Sequence, residues 1–124
     1  MILEIIALVD YLELVITRNE PDKIYLEPIE TIYLNHTDED IIAQIDLHLQ
    51  AGSYQEILDL IELYKAEHKD LLHIYDAVCD DYDSYKDFLS TEDLAEKLSN
   101  DFGLTNPDEV LAILMMRDLF LVEH

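Results

Sequence analysis

Hydrophobic residues recur at helical spacing from residue 37 to the end of the chain. Five segments there carry an apolar stripe, and four of them also have a start signal for a helix. The stripes are Ile41, Ile42, Ile45 and Leu49; Ile57, Leu58, Ile61 and Tyr64; Leu71, Leu72, Tyr75 and Val78; Leu94, Leu98 and Phe102; and Val110, Leu111, Ile113 and Leu114. This pattern predicts four to five helices, the third of them running from Asp70 to about Cys79.

Polar residues and glycines mark the ends of these helices. A small polar residue followed three positions later by a carboxylate satisfies the free amide groups at a helix start, and glycine favours a helix end. The start signals are Thr37–Asp40, Ser53–Glu56, Ser90–Asp93 and Asn106–Glu109, and the stop signals are Gly52 and Gly103.

The first 35 residues favour strands. Tyr11–Thr17 ends in the β-branched run Val-Ile-Thr, and Arg18–Asp22 has the composition of a turn. Lys23–Leu26 and Ile29–Leu34 then read as a second and a third strand, with Pro28 forcing an edge or a break. These signals predict a β-hairpin or a small antiparallel sheet.

An alternative for the same region is a helix over Ile2–Leu12, which would place Ile2, Ile5, Ile6, Val9 and Leu12 on one face. We predict an α+β fold in which an N-terminal hairpin or small sheet precedes four to five helices. The chain has no linker or repeat, so residues 1–124 are expected to form a single domain, with residues 1–35 strand-biased and residues 37–124 helical.

Composition limits the function of this chain. Half of its 124 residues are hydrophobic, which is too many for a disordered acidic tail. With 29 acidic and 7 basic residues the net charge is −22, so nucleic acid and anionic lipid would repel the surface. We therefore expect no direct binding to nucleic acid and none to membranes. One cysteine excludes a disulfide framework and suits a reducing compartment.

The shortage of lysine is as informative as the excess of acid. Ile occurs 14 times and Lys five times, although the AT-rich genomes that favour Ile usually favour Lys too. Acids in first helical turns complement the helix dipole and need no further function. These are Asp38, Glu39, Asp40, Glu56, Glu92, Asp93, Asp108 and Glu109. The other acids exceed what solubility requires, since a net charge of about 2–8 suffices for a small domain.

The segment Tyr75–Asp87 concentrates the remaining acids. Asp76, Asp80, Asp83 and Asp87 are spaced by four, three and four residues, so they would share one face of a helix, with Asp81 beside them. Like charges at this spacing destabilise a helix by a few tenths of a kcal/mol. Folding does not explain such a stripe, whereas a positively charged partner would. A solvated helix face is the alternative.

Aromatic and acidic neighbours complete the predicted binding surface. Tyr82 and Tyr85 lie among the acids, and tyrosine anchors interfaces through its large contact area. Tyr82 is also spaced seven residues from Tyr75, which is typical of a core position. Glu92 and Asp93 would extend the acidic face.

The sequence carries no catalytic motif, and we expect neither an enzyme nor a cofactor. Asp81, Asp83, Asp87 and Glu92 match four positions of a calcium-binding loop, but Tyr85 and Lys86 stand where the loop needs a ligand and a glycine. The histidines form no zinc motif, so no metal is expected. Cys79 has acidic neighbours that would keep it a poor nucleophile.

The apolar segments do not have the features of targeting signals. Met1–Val9 has no basic residue before it, and Val110–Met116 is too short to span a membrane. We expect a soluble protein of the cytoplasm, which would be the host cytoplasm if a phage encodes it.

In overall character the chain resembles the acidic DNA-mimic inhibitors carried by phages and mobile elements. These include ArdA-type antirestriction proteins and several anti-CRISPR proteins. Ser90–Gly103, STEDLAEKLSNDFG, is similar to an acidic helix of the ArdA kind. The resemblance implies a stoichiometric inhibitor that occupies the DNA- or guide-binding groove of a basic defence enzyme, either a CRISPR effector nuclease or a restriction-modification complex.

Two alternatives from other classes remain open. An immunity protein or antitoxin that neutralises a basic nuclease toxin would need nearly the same surface. A protein–protein adaptor would instead use the apolar segments Val110–Met116 and Leu119–Val122, through which a homodimer is also possible.

Overall fold

The computed structural model describes residues 3–123, and all of its regular elements are helical. The α-helices are α1 (Leu3–Thr17), α2 (Glu27–Asn35), α3 (Asp40–Ala51), α4 (Tyr54–Glu67), α5 (Lys69–Tyr85), α6 (Thr91–Phe102) and α7 (Pro107–Glu123). A short 3-10 helix, Pro21–Tyr25, joins α1 to α2. Buried residues from all seven α-helices form one hydrophobic core.

The prediction of an α+β fold with an N-terminal hairpin is wrong, because residues 3–123 contain no strand. The predicted first strand, Tyr11–Thr17, is the second half of α1. Lys23–Leu26 lies mostly in the 3-10 helix, and Ile29–Leu34 lies within α2. The alternative helix over Ile2–Leu12 is confirmed from Leu3 onward, while Ile2 lies outside the described residues.

Helix α1 is the centre of the bundle. It packs against α2, α4, α5, α7 and the 3-10 helix, and all seven residues from Leu3 to Val9 are buried. A helix enclosed on every side is apolar all round, so it lacks the polar face that identifies a surface helix in a sequence. Burial also outweighs the weak strand preference of Val15 and Ile16.

Pro28 lies in the first turn of α2 instead of interrupting a strand. Amide groups in the first turn of a helix have no partner within the helix, so a proline there removes no hydrogen bond. The predicted stops are correct: Gly52 and Gly103 end α3 and α6 in the left-handed region, with φ of 70° and 64°.

The predicted helix starts are confirmed only in part. Ser90 Oγ accepts a hydrogen bond of 3.2 Å from the Asp93 amide, as its capping signal indicates. Ser53 precedes α4 but makes no such bond, and α3 begins at Asp40 after Glu39, not after Thr37.

The buried carboxylate of Glu4 connects the start of α1 to the start of α7. Its side chain is 1% exposed, and its Oε1 accepts a 3.0 Å hydrogen bond from the backbone amide of Asn106, the residue before α7. A negative charge at this position complements the positive end of the α7 dipole. Glu4 therefore fixes the last helix of the chain onto the first.

Candidate functional site

The predicted acidic stripe lies on the solvent-exposed side of α5, beside the face that this helix buries. Tyr75, Val78 and Tyr82 point into the core, whereas Asp76 and Asp80 are exposed. The helix runs six residues beyond the predicted end at Cys79, because the apolar spacing continues to Tyr82.

Three carboxylates share this exposed face within the helix: Asp76, Asp80 and Asp83. They span seven residues, or about 10 Å of helical rise. A DNA strand places a phosphate about every 3.4 Å along its axis, so the linear charge density is of the same order. Helix α5 ends at Tyr85, and Asp87 is exposed in the turn that follows instead of on the helix.

Lys86 partly neutralises one end of the stripe. Its Nζ lies 2.9 Å from Asp118 Oδ1 on α7 and 3.7 Å from Asp83 Oδ1. The hydrogen bond to Asp118 is the main reason that the pKa of Lys86 is raised. Asp76, Asp80 and Asp87 form no ion pair with any residue between positions 3 and 123, so they are the uncompensated acids of the surface.

Asp81 and Tyr85 are directed toward α6 and do not belong to the stripe. Lys97 Nζ of α6 lies 4.5 Å from the centre of the Tyr85 ring and 2.8 Å from Asp101 Oδ2. The hydrogen bond to Asp101 raises the pKa of Lys97, and the nearby charge of Asp81 adds to this shift. Asp81 is half-buried, so the sequence overestimated its availability to a partner.

The aromatic groups at the surface differ from those selected by the sequence. Tyr82 is 6% exposed and belongs to the core, where burial raises its pKa. Tyr85 is partly exposed, and Phe88 beside Asp87 is 81% exposed. Sequence reasoning missed Phe88, although a signal exists: Leu89 continues the heptad spacing of Tyr75 and Tyr82, which leaves Phe88 off the buried stripe.

Glu92 and Asp93 occupy the first turn of α6 and are exposed. Only five residues separate α5 from α6, and the two helices pack together, so these carboxylates lie near the acidic end of α5. We name the surface formed by Asp76, Asp80, Asp83, Asp87, Glu92 and Asp93, with Tyr85 and Phe88, the α5–α6 acidic surface. The acids of this surface affect folding stability in two ways. Glu92 and Asp93 stabilise the start of α6 through the helix dipole, whereas the acids along α5 repel one another.

This difference gives a direct test of whether the stripe is unfavourable for folding. Asp80→Lys should raise the free energy of unfolding by about 0.5 kcal/mol, since it replaces repulsion from Asp76 and Asp83 by attraction. Glu92→Lys makes the same charge change but should lower it by about 0.3–1 kcal/mol, through the dipole of α6. Urea denaturation at low salt measures both. A loss of stability in Asp80→Lys would contradict the unfavourable stripe.

A polar cluster lies between four helices, on the inner side of α5. Asp10 Oδ1 is 3.0 Å from Lys65 Nζ, and its Oδ2 is 3.3 Å from Arg117 Nε and 3.4 Å from the Tyr75 hydroxyl. Cys79 adjoins the cluster, and burial raises the pKa of its thiol to about 11. A thiol protonated at neutral pH is a poor nucleophile. The contacts of Asp10 connect α1 with α4, α5 and α7.

The carboxylates of residues 3–123 do not form a metal-binding cluster. No group of three or more His, Cys, Asp or Glu side chains in this range is arranged to hold a metal ion. The positions matched to a calcium loop instead belong to the end of α5, the following turn and the start of α6.

A second acidic region is an open cleft of about 540 Å³ beside α3 and α4. Asp38, Glu39, Asp40 and Glu67 contribute to its lining. From the sequence, the first three are explained as helix-start residues alone. Their meeting with Glu67 depends on the packing of α3 against α4, which a local pattern does not reveal.

Most of the apolar segment Val110–Met116 is buried inside the molecule. Val110, Leu111, Ile113 and Leu114 are buried in the core, which leaves them unavailable to a second copy or a partner in this fold. Met115, Leu119, Leu121 and Val122 are exposed on α7.

No helix in the described part of the chain is long and apolar enough to cross a membrane. Comparison with known proteins gives no family: no family model, no curated protein and no solved structure matches this chain.

Proposed function

We propose that this chain is a stoichiometric inhibitor of a DNA-binding bacterial defence enzyme, a CRISPR effector nuclease or a restriction-modification complex. It acts as an acidic DNA mimic that occupies the nucleic-acid-binding groove. The observation that carries the proposal is the set of exposed carboxylates Asp76, Asp80 and Asp87, which form no ion pair within residues 3–123. Its site of action is the cytoplasm, where such enzymes meet DNA.

The physical argument rests on what a basic groove gains from an acidic partner. Lysine and arginine side chains that bind DNA displace its counterions, and this release supplies much of the affinity. A folded helix presents carboxylates at fixed positions, so its binding loses less conformational entropy than a flexible acidic tail would. Repulsion among the acids of α5 in the free protein is relieved when a partner supplies the missing positive charge.

The exposed aromatic rings add a contact that DNA phosphates do not provide. Phe88 and Tyr85 flank the acids, and aromatic residues near charged groups are typical anchors of protein interfaces. An arginine of the partner can stack on such a ring while it pairs with a carboxylate. The α5–α6 acidic surface is therefore suited to a protein groove rich in arginine and lysine.

Capture from a bacterial lysate tests the proposal. The immobilised protein should retain a nucleic-acid-binding protein whose recovery falls at least about tenfold between 50 and 200 mM salt, given the salt dependence of such contacts. An excess of duplex DNA should displace the same protein. Retention that resists both salt and DNA would contradict mimicry.

An adaptor that binds through α7 is the second candidate, favoured by the exposed side chains of Leu119 and Val122. Replacing both by serine should leave capture unchanged if the acids carry binding. Loss of capture in this double variant would favour the adaptor. The neutralisation of a nuclease toxin uses the same acidic surface, so the identity of the captured protein separates it from inhibition of a defence enzyme.

A further inference from the structure

An apolar pocket opens between α1, the 3-10 helix, α2 and α3, away from the residues assigned to partner binding. Its walls are formed by Leu8, Leu12, Ile24, Ile29 and Leu49, and its volume is about 110 Å³. This volume is smaller than the cavity of about 150 Å³ that binds benzene, so the pocket suits a short aliphatic chain whose end lies at the opening.

The polar groups that line the pocket are acidic or neutral. Asp46 and Glu30 are the acidic residues of the lining, and the Tyr33 hydroxyl lies close to Asp46. Burial together with that carboxylate raises the pKa of Tyr33, so its hydroxyl stays protonated at neutral pH. Among residues 3–123, no lysine, arginine or histidine lines the pocket, so no cation of this range lies in its lining beside the two acids.

The entrance has side chains that a ligand would cover. Tyr25 and Leu34, which also line the pocket, are 63% and 59% exposed. Aromatic rings attract cations through their faces, and the apolar parts of such side chains gain from removal from water. Apolar walls, an aromatic rim and two carboxylates together favour a ligand with an aliphatic body and a positively charged end.

We propose that this pocket binds a primary alkylammonium group, with the aliphatic chain against the leucine and isoleucine walls and the ammonium group beside Asp46 and Glu30. Two sources can supply this group: a small aliphatic amine, or the side chain of a lysine on another protein. Both offer a chain of suitable length with a terminal cation. The inference is independent of DNA mimicry, because it uses none of the residues on α5 or α6.

Methyl NMR of the isoleucine and leucine residues tests the proposal with n-pentylammonium as the probe. Saturable shifts are expected at the wall residues Ile24, Ile29 and Leu49. The neutral isostere 1-pentanol should bind about tenfold more weakly, because a hydrogen bond between charged groups is about twice as strong as one made by a neutral hydroxyl. Equal binding of the two probes, or no saturable shift, would overturn the proposal.

Variants of the rim identify the charge that matters. Asp46→Asn removes the charge but keeps an acceptor near Tyr33, and it should weaken pentylammonium at least fivefold. Glu30→Gln, at an exposed position, should weaken the binding of pentylammonium a few-fold. It is the variant to use if Asp46→Asn does not fold. Asp59→Asn on α4 is the matched control and should leave binding unchanged. Full binding by both rim variants would refute the assigned role of the acids.

A second arm separates the two sources. Nα-acetyl-lysine methylamide carries the same ammonium chain on a peptide backbone. If it shifts the wall methyls as strongly as pentylammonium, the pocket receives a lysine side chain of a protein. If only the free amine binds, the natural ligand is a small amine. Either result supports an alkylammonium site.

Discussion

Replacing Asp76, Asp80 and Asp87 together by lysine is expected to abolish partner binding. These acids are exposed and uncompensated within the described structure, so their carboxylates are the ones a basic groove can engage without breaking an internal ion pair. Reversal places three lysines against a positive surface, and such like-charge contacts cost several kcal/mol. We expect affinity to fall by at least about a hundredfold, which calorimetry with the captured protein measures.

The matched control is the triple variant Glu56→Lys, Asp59→Lys and Glu62→Lys. These residues are exposed on α4, and both triple variants change the net charge by the same amount. The control should lose affinity only through the general reduction in charge, by a few-fold at moderate salt. Equal loss in the two variants would mean that total charge, and not the α5–α6 acidic surface, determines binding. Circular dichroism checks that both variants remain helical.

Glu4→Ala is expected to lower the stability of the fold more than the substitution of an exposed acidic residue does. The substitution removes the acceptor of the Asn106 amide and leaves that group without its carboxylate partner. A hydrogen bond to a charged group contributes about 1.5–3 kcal/mol, and loss of the charge at the α7 dipole adds to this cost. We expect the free energy of unfolding to fall by about 2–3 kcal/mol in urea denaturation.

Two further variants identify the cause of that loss. Glu4→Gln keeps an acceptor of similar size and should lose about 1 kcal/mol, the part that depends on charge. Glu62→Ala, at an exposed position on α4, should stay within about 0.5 kcal/mol of the parent chain. Equal stability of Glu4→Ala and Glu62→Ala would show that the contact with Asn106 does not stabilise the fold.

Local pattern predicted the second half of the fold better than the first. Helices α3 to α6 each bury one stripe, and the spacing of that stripe is visible in the sequence because the opposite face is mostly polar. Helix α1 has no such contrast, since neighbours enclose it. Its β-branched residues then favoured the wrong type of element.

The location of the candidate site on α5 was predictable from the sequence, but the exact set of residues that form it was not. The spacing of Asp76, Asp80 and Asp83 fixed their common face once α5 was helical. The packing of α6 decided that Asp81 and Tyr85 lie toward Lys97, and the position of α7 decided that Asp83 shares Lys86 with Asp118. The pairing of Lys86 with Asp83 follows from their i, i+3 spacing, but the contacts of Lys86 with Asp118 and of Lys97 with Tyr85 do not.

The sequence by itself determined the charge of −22, the helical nature of residues 40–123 and the face of α5 on which its acids lie. These properties depend on composition and on contacts within a few residues. Only the tertiary structure decided that the N-terminal region is helical, that Tyr82 is buried while Phe88 is exposed, and that Glu4 reaches Asn106. Each of these depends on which surfaces of distant helices meet, and burial against such surfaces outweighs local preference.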